Sequence, residues 1–324
     1  MKKPVLVAGG AGYIGSHTAK ALRDAGRVPV VLDNLVTGNR FALRYGPFEE
    51  AAVEDEARVA EVFARHGIET AVFFAGFINV GEAAADPAKY YRNNVVHALR
   101  FLDAARGAGL RNLVFSSSCA IYGVQTKMPI AEDAPVSPLN AYAESKLFFE
   151  RVLRDYDRAY GLKHANLRYF NAAGADPAGE IGEAHDPETH LIPNAIYATM
   201  GRGRLKVFGT DYPTPDGTPL RDYIHVSDLA AAHVRAVEYL EAGGASDSFN
   251  LGAGRGTSVL EIIRLVEEIT GREVARDIGP RRAGDAPVLI GDLTKARRVL
   301  GWEPRLSDLD TIIRTACAWH AGRS

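Results

Sequence analysis

The stretch VLVAGGAGYIGSH, Val5 to His17, constrains the fold of this chain more than any other. Gly9, Gly12 and Gly15 stand three apart, after a run of β-branched apolar residues and at the start of a helical pattern. A turn of this kind needs positions without Cβ, to reverse tightly, to let backbone approach a pyrophosphate and to pack helix against strand. The N–H groups that open the helix then point at the anion. A second strand pattern, PVVLD, ends in Asp33, at the distance past Gly15 where a carboxylate meets the adenosine ribose diol. That carboxylate repels a 2'-phosphate, so the expected cofactor is NAD; Arg40 is the one nearby residue that favours NADP.

Apolar runs alternate with helical patterns through the first half of the chain. PVLVAG, VPVVLD, AVFFAG, NLVFSS and ANLRYF read as strands, and their near-continuous apolar character suits parallel strands covered on both faces. Helical patterns lie near Tyr13–Ala25, Ala57–His66, Pro87–Arg106 and Pro138–Tyr160. The expected fold is α/β: a Rossmann-like doubly wound parallel sheet with a smaller C-terminal mixed α/β lobe for substrate. The composition changes after Asn171, where NAAGADPAGEIGEAHDPETH reads as a long loop or lid. We therefore expect a nucleotide-binding domain over 1–171 and a substrate lobe over 172–324, some segments of which return to the first domain. Three helical patterns, near Ser227, Ser258 and Leu309, fall in the second part.

With 38 basic and 40 acidic side chains among 324 residues, the net charge is -2, which calls for neither nucleic acid nor an anionic membrane as partner. No apolar run approaches a membrane span, and glycines interrupt the apolar stretch after MKKP too early for a secretion signal. Two distant cysteines, Cys119 and Cys317, offer no metal spacing and suit a reducing compartment, so a cytoplasmic location is expected.

YAESK places Tyr142 one helical turn ahead of Lys146, on the same face. A phenol with a pKa of about 10 is a poor base at neutral pH, and bringing it to 7 takes about 4 kcal/mol of favourable charge. Lys146 and an oxidised nicotinamide are the candidate cations. Ser137 and Pro138 read as helix cap and first helical position, which sets Tyr142 and Lys146 early in the helix. Ahead of it, LVFSSSCAIYG ends a strand on Ser116, Ser117 and Ser118, at the carboxyl edge where open α/β sheets bind ligands. HDPETH brings His185, Asp186, Glu188 and His190 close in sequence, but the spacing matches no familiar zinc or di-iron motif and Pro187 breaks any helix. A solvated loop without metal is expected there.

The order GxxGxxG, Ser, YxxxK resembles the extended short-chain dehydrogenase/reductase superfamily. The likeness runs on through LDNL, YYRNNV, FSSSCAIYG, ESKLFFE, LRYFNAAGA, LIPN, VFGTDYPTPDGTPLRDYIHVSDLA, NLGAG and PRRAGD. Over nearly the whole chain these segments resemble the UDP-galactose (UDP-glucose) 4-epimerase family, most specifically from Val207 to Ala230. The resemblance implies an isomerase: Tyr142 takes the proton of the sugar 4-hydroxyl, Ser118 hydrogen-bonds that oxygen, and Lys146 binds the nicotinamide ribose and keeps the tyrosine acidic. Hydride passes from carbon 4 to tightly bound NAD and returns to the other face of a 4-keto sugar. It also implies cofactor contacts at Gly9, Gly12, Tyr13, Ile14, Gly15, Asp33, Asn34, Val53, Phe74, Ala75, Gly76, Asn94, Ser116 and Tyr169. Substrate contacts are implied at Asn171, His190, Leu191, Val207, Phe208, Arg221, Arg282, Asp285 and Leu289, with the two arginines on the diphosphate and Phe208 on the uracil. A homodimer is implied as well.

Two positions depart from the family pattern. Ala52 stands where many members carry an aspartate near the adenine, and Ile78 where some carry a lysine near the cofactor. Leu289, intermediate in size, occupies the position that admits or blocks an N-acetyl group, so UDP-N-acetylhexosamines and UDP-pentoses stay open beside UDP-hexoses. Cys119 and Ala120 follow Ser118 where 4,6-dehydratases of this scaffold carry an Asp-Glu pair, which speaks against dehydration. A non-catalytic sensor on the same fold would be expected to lack Tyr142 or Lys146.

Overall fold

Six strands open the chain in the computed structural model, which describes residues 3–281 and 285–323. They are β1 (Pro4–Ala8), β2 (Val28–Asp33), β3 (Phe48–Glu50), β4 (Thr70–Phe73), β5 (Asn112–Ser118) and β6 (Lys163–Tyr169). A later strand, Asp247–Leu251, joins them in one parallel sheet, in the order 247–251, β6, β5, β4, β1, β2, β3. The five apolar runs are β1, β2, β4, β5 and β6, with ladder neighbours on both sides. The sequence reading left out β3 and Asp247–Leu251, and both are edge strands. An edge strand has one neighbour and keeps polar residues, so FEE and DSFNL do not stand out as apolar runs.

Alternation along each strand builds two cores. Val5 and Val7 face one layer with Ala19, Leu22, Leu229 and Val237, while Leu6 and Ala8 face the other with Phe63, Phe101, Phe149 and Leu153. All twelve are essentially excluded from water. Burying a side chain of the size of leucine or phenylalanine stabilises by about 1.5–3 kcal/mol, so the sheet is held from both faces. The first layer is helix Tyr13–Asp24 with helix Val226–Glu241; the second is Glu56–His66, Ala98–Gly107 and Ala141–Tyr160.

The smaller lobe packs helices Leu191–Thr199, Val259–Thr270 and Leu309–Ala321 around Leu205, Val207, Ile262, Ile312 and Ile313. Three short strands link it to the sheet: Leu220–Arg221 pairs with Val288–Leu289 and with Thr257–Ser258. Between Arg221 and Tyr223, Asp222 is fully buried and accepts N–H bonds from Ala253 (2.6 Å), Gly254 (3.1 Å) and Gly291 (3.1 Å). Burial lifts its pKa to about 6 against the pull of those three donors. The carboxylate holds two loops, one at Ala253–Gly254 and one at Gly291, against the strand pair 220–225. No helix among the described residues is long and apolar enough to cross a membrane.

Candidate active site

The glycine turn follows β1 and is crowded by backbone on every side. Gly9 has φ +80°, and a Cβ there would lie 2.7 Å from the Ala75 nitrogen; one on Gly15 would lie 2.3 Å from the Gly9 carbonyl oxygen. Helix Tyr13–Asp24 starts after Gly12, and the first-turn N–H groups have no partner within the helix. Tyr13 turns its hydroxyl away from the turn, donating to the Gly174 carbonyl at 2.6 Å, and Ile14 packs into the core. Their backbone, and not their side chains, borders the cradle.

Asp33 ends β2 with only 7% of its surface exposed. Its two oxygens accept N–H bonds from Ala11 (2.9 Å) and Leu35 (2.8 Å), which fixes the carboxylate at the mouth of the turn. Burial raises its pKa, and the two donors oppose that shift. Asn34 caps the following loop, accepting from the Val36 N–H at 3.2 Å. Val53 packs on the second core and Ala52 is half-buried, while Ile78 is largely exposed. On the far side, the Phe74 N–H donates to the Ala8 carbonyl at 2.8 Å, so Phe74, Ala75 and Gly76 run beside the glycine turn. Asn94 lies in a widened π-helical turn, Arg92–His97. Its amide bonds the Phe77 N–H (2.8 Å), the Phe77 carbonyl (3.0 Å) and the Ser145 hydroxyl (3.2 Å), pinning that loop to helix Ala141–Tyr160. Turns of this type recur at functional sites. A Cβ-free cradle at a helix N-terminus with a fixed carboxylate at its mouth fits NAD.

Helix Ala141–Tyr160 begins later than Ser137 and Pro138 suggest. Asn140 is the cap, accepting the Ala143 N–H at 3.0 Å, because the Ser137 N–H is committed to the Ile121 carbonyl at 2.9 Å and holds that stretch outside the helix. Tyr142 therefore sits in the first turn and Lys146 one turn on. The Tyr142 phenol faces Ser118, the last residue of β5, which draws its pKa down against the effect of burial. The Ser118 hydroxyl in turn accepts the Ala120 N–H at 3.2 Å. Lys146 is 4% exposed and donates to the Ser116 carbonyl at 2.7 Å, with its nitrogen 5.9 Å from the Tyr142 ring centre. Ser116 and Tyr169 share a hydroxyl hydrogen bond of 2.5 Å.

Burial pushes the Tyr142 phenol up to about 12, with Ser118 pulling the other way, and burial brings the Lys146 ammonium down to about 8. Lys146 gives one of its three N–H groups to a backbone carbonyl and keeps two, and its charge, beside the Tyr142 ring.

At the opposite side of the cleft, the Asn171 side-chain amide and backbone N–H both donate to the Asp222 carbonyl at 3.0 Å. Arg221 is paired with Asp285, and Tyr212 reaches the same carboxylate at 3.4 Å. Arg282 lies outside the described residues. Leu289 is beside Arg221 in the ladder and packs with Cys119 on the cluster of Ile121, Tyr122 and Phe170. Three implied substrate contacts point elsewhere. Val207 is buried in the small-lobe core, since strand alternation sends its side chain opposite to that of Phe208. Leu191 packs on the same core. His190 turns its Nδ1 onto Glu183.

HDPETH is a loop exposed at Asp186, Pro187, Thr189 and His190, as expected, but it is not solvated throughout. Among the described residues it brings His185, Glu188 and His190 together with Glu183, and both glutamate side chains are more than nine-tenths buried. Glu183 lies just outside the hexapeptide, and Asp186 points away to solvent, so local spacing misled. Sequence reasoning also missed the buried Glu150–Arg168 pair. Its signal was present: Lys146, Phe149, Glu150 and Leu153 form one buried helical stripe that contains an acid.

A family profile described as NAD dependent epimerase/dehydratase family matches residues 5–252. A UDP-glucose 4-epimerase of Rhizobium leguminosarum bv. trifolii is 51% identical, over 98% of this chain and 97% of its own. Among solved structures, UDP-glucose 4-epimerase from Brucella ovis in complex with NAD superposes with a TM-score of 0.96 at 52% identity, covering 98% of each chain. The Bifidobacterium longum UDP-glucose 4-epimerase in complex with NAD+ and UDP superposes with a TM-score of 0.94 at 36% identity, covering 99% of this chain and 98% of its own.

Proposed function

Because the chain belongs to the NAD dependent epimerase/dehydratase family, we propose that it interconverts UDP-galactose and UDP-glucose at carbon 4, with NAD kept bound throughout. The observation that carries this reading is the grouping of Tyr142, Ser118 and buried Lys146 at the carboxyl edge of β5, the same edge of the parallel sheet at which the glycine turn leaves β1. Bound NAD supplies one thing, a hydride acceptor that later returns the hydride. The rest falls to the chain. Ser118 orients the sugar 4-hydroxyl, and Tyr142 takes its proton and gives it back after the 4-keto sugar has turned over. Lys146 is one positive charge beside the phenol, and an oxidised nicotinamide bound there would be a second. Ser116, Ser118 and Lys146 are buried, which would limit the access of water to a keto sugar held against them.

Arg221 would exchange part of its pairing with Asp285 for the UDP diphosphate, for which its planar fork is suited. Asn171 donates to the Asp222 carbonyl next to Arg221 and Leu289 pairs with Arg221 in the ladder, which suits contacts to the sugar end; Phe208 is taken as the uracil contact by family likeness. The test is to purify the protein without added cofactor, assay released NAD by absorbance, and incubate with UDP-galactose. UDP-glucose should form with no cofactor supplied; no interconversion even with NAD added would sink the reading. UDP-N-acetylgalactosamine and UDP-xylose in the same assay define which substituents Leu289 tolerates.

The reading includes a cytoplasmic homodimer. Supporting the dimer, Tyr91, Val96 and Phe148 stand exposed on the neighbouring helical segments 87–107 and 141–160. Light scattering at micromolar concentration should give twice the chain mass, and a monomer there would remove the dimer from the reading.

A further inference from the structure

We propose that Glu183, His185, Glu188 and His190 form a structural site for one divalent transition-metal ion of the zinc class. The four side chains come from an eight-residue segment that folds back on itself around Pro187, and their ligand atoms all lie within 4.8 Å of one another. Both imidazoles turn the same nitrogen inward. His185 Nδ1 lies 3.0 Å from Glu183 Oε1 and 3.8 Å from Glu188 Oε1, and His190 Nδ1 touches Glu183 and lies 3.7 Å from Glu188 Oε1. A tetrahedral shell with bonds of about 2.0–2.2 Å sets neighbouring ligand atoms roughly 3.3–3.6 Å apart, the range these distances straddle.

As a plain hydrogen-bond cluster the arrangement is incomplete. Glu188 Oε1 is held by the N–H groups of Thr189 (2.7 Å) and His190 (2.9 Å), too far from either imidazole to accept from it. Glu188 Oε2 is buried without any partner, on a side chain only 6% exposed. A buried, unpaired carboxylate oxygen is costly, and a cation among these ligands removes the cost. Two imidazoles and two carboxylates suit zinc; calcium and magnesium would be held by oxygen alone.

Four protein ligands leave no open coordination position, so the ion is structural and not catalytic. What it would hold is the segment that closes on the glycine turn. The Tyr13 ring meets His185 edge-on at 6.2 Å, Trp319 donates to the Glu183 carbonyl at 2.7 Å, Asn39 donates to the Ala184 carbonyl at 3.3 Å, and His190 leads into helix Leu191–Thr199. The site thus joins the cofactor turn, the C-terminal helix and the small lobe. It does not depend on which sugar the enzyme accepts.

The test uses the full chain with no histidine tag. Elemental analysis after purification without chelator should find about one zinc per chain, and the chelator-treated protein should take up one equivalent of Zn2+ by calorimetry. Substituting Co2+ should give the intense visible bands of a tetrahedral centre. His185→Gln and Glu188→Gln should each weaken Zn2+ binding by at least the roughly 10–100-fold lost when only a group supporting a metal ligand is removed. Circular dichroism and NAD content would report that each variant is folded. Sub-stoichiometric uptake by the folded parent, or undiminished Zn2+ binding in both variants, would overturn the proposal.

Discussion

Replacing Tyr142 by phenylalanine is expected to lower kcat for UDP-galactose by about 10²- to 10⁴-fold, the contribution of a positioned proton-transfer group. NAD content and UDP-sugar affinity should stay close to those of the parent. The phenylalanine keeps the half-buried ring, which packs beside Tyr90 and Ala141, and removes only the hydroxyl that faces Ser118. Ser118 retains its bond from the Ala120 N–H, and Lys146 retains the Ser116 carbonyl, so the neighbouring groups are not stranded. Stopped turnover with retained ligands separates an enzyme from a sensor on the same fold, which would keep its output. A variant that turns over UDP-galactose at the parent rate would assign the proton to another group.

The central sheet and the cofactor turn were legible because their physics is local. Near-continuous β-branched runs announce strands buried on both faces, and a glycine spacing announces a backbone approach that no side chain permits. The edge strands were not legible, because Phe48–Glu50 and Asp247–Leu251 owe their pairing to a neighbour that is remote in sequence. Asp247–Leu251 pairs with β6, and nothing in DSFNL alone says so.

In the site, residue types and order indicated which groups meet but not their protonation. Tyr142 and Lys146 share a helix face as their spacing requires, yet the burial that moves both pKa values comes from β5, β6 and the turn after Ser118. Glu183 shows the same limit on a smaller scale. Two residues outside the motif that drew notice, it is buried by Trp319 and its neighbours and becomes the centre of the cluster. Val207 illustrates the reverse error. A segment-level likeness to the epimerases carries the strand, while strand alternation decides that Val207 belongs to the core and Phe208 to the other face.

Glu150→Ala is expected to destabilise the fold by about 3–5 kcal/mol, the cost of removing one partner from a buried ion pair. Glu150 Oε2 meets Arg168 at 2.6 Å, and Oε1 accepts from Arg168 Nε at 3.0 Å and from the Ser117 hydroxyl at 2.5 Å. The same guanidinium donates to the Tyr122 hydroxyl and the Glu132 carbonyl, both at 2.9 Å, and Tyr122 donates to Asn250 at 2.7 Å. One carboxylate thus connects helix Ala141–Tyr160, β5, β6 and the edge strand directly beneath Ser118 and Tyr142. Removing it leaves a buried cation with no counter-charge and frees the Ser117 hydroxyl, so the melting temperature of the NAD-loaded protein should fall by several degrees. The paired replacement, Glu150→Met with Arg168→Met, should recover much of that loss, because the penalty lies in the stranded charge more than in the missing attraction. If the single variant melts with the parent, the pair is hydrated in solution and the network does not support the catalytic helix. If the double variant is as unstable as the single one, the hydrogen bonds to Ser117 and Tyr122 matter more than the charge.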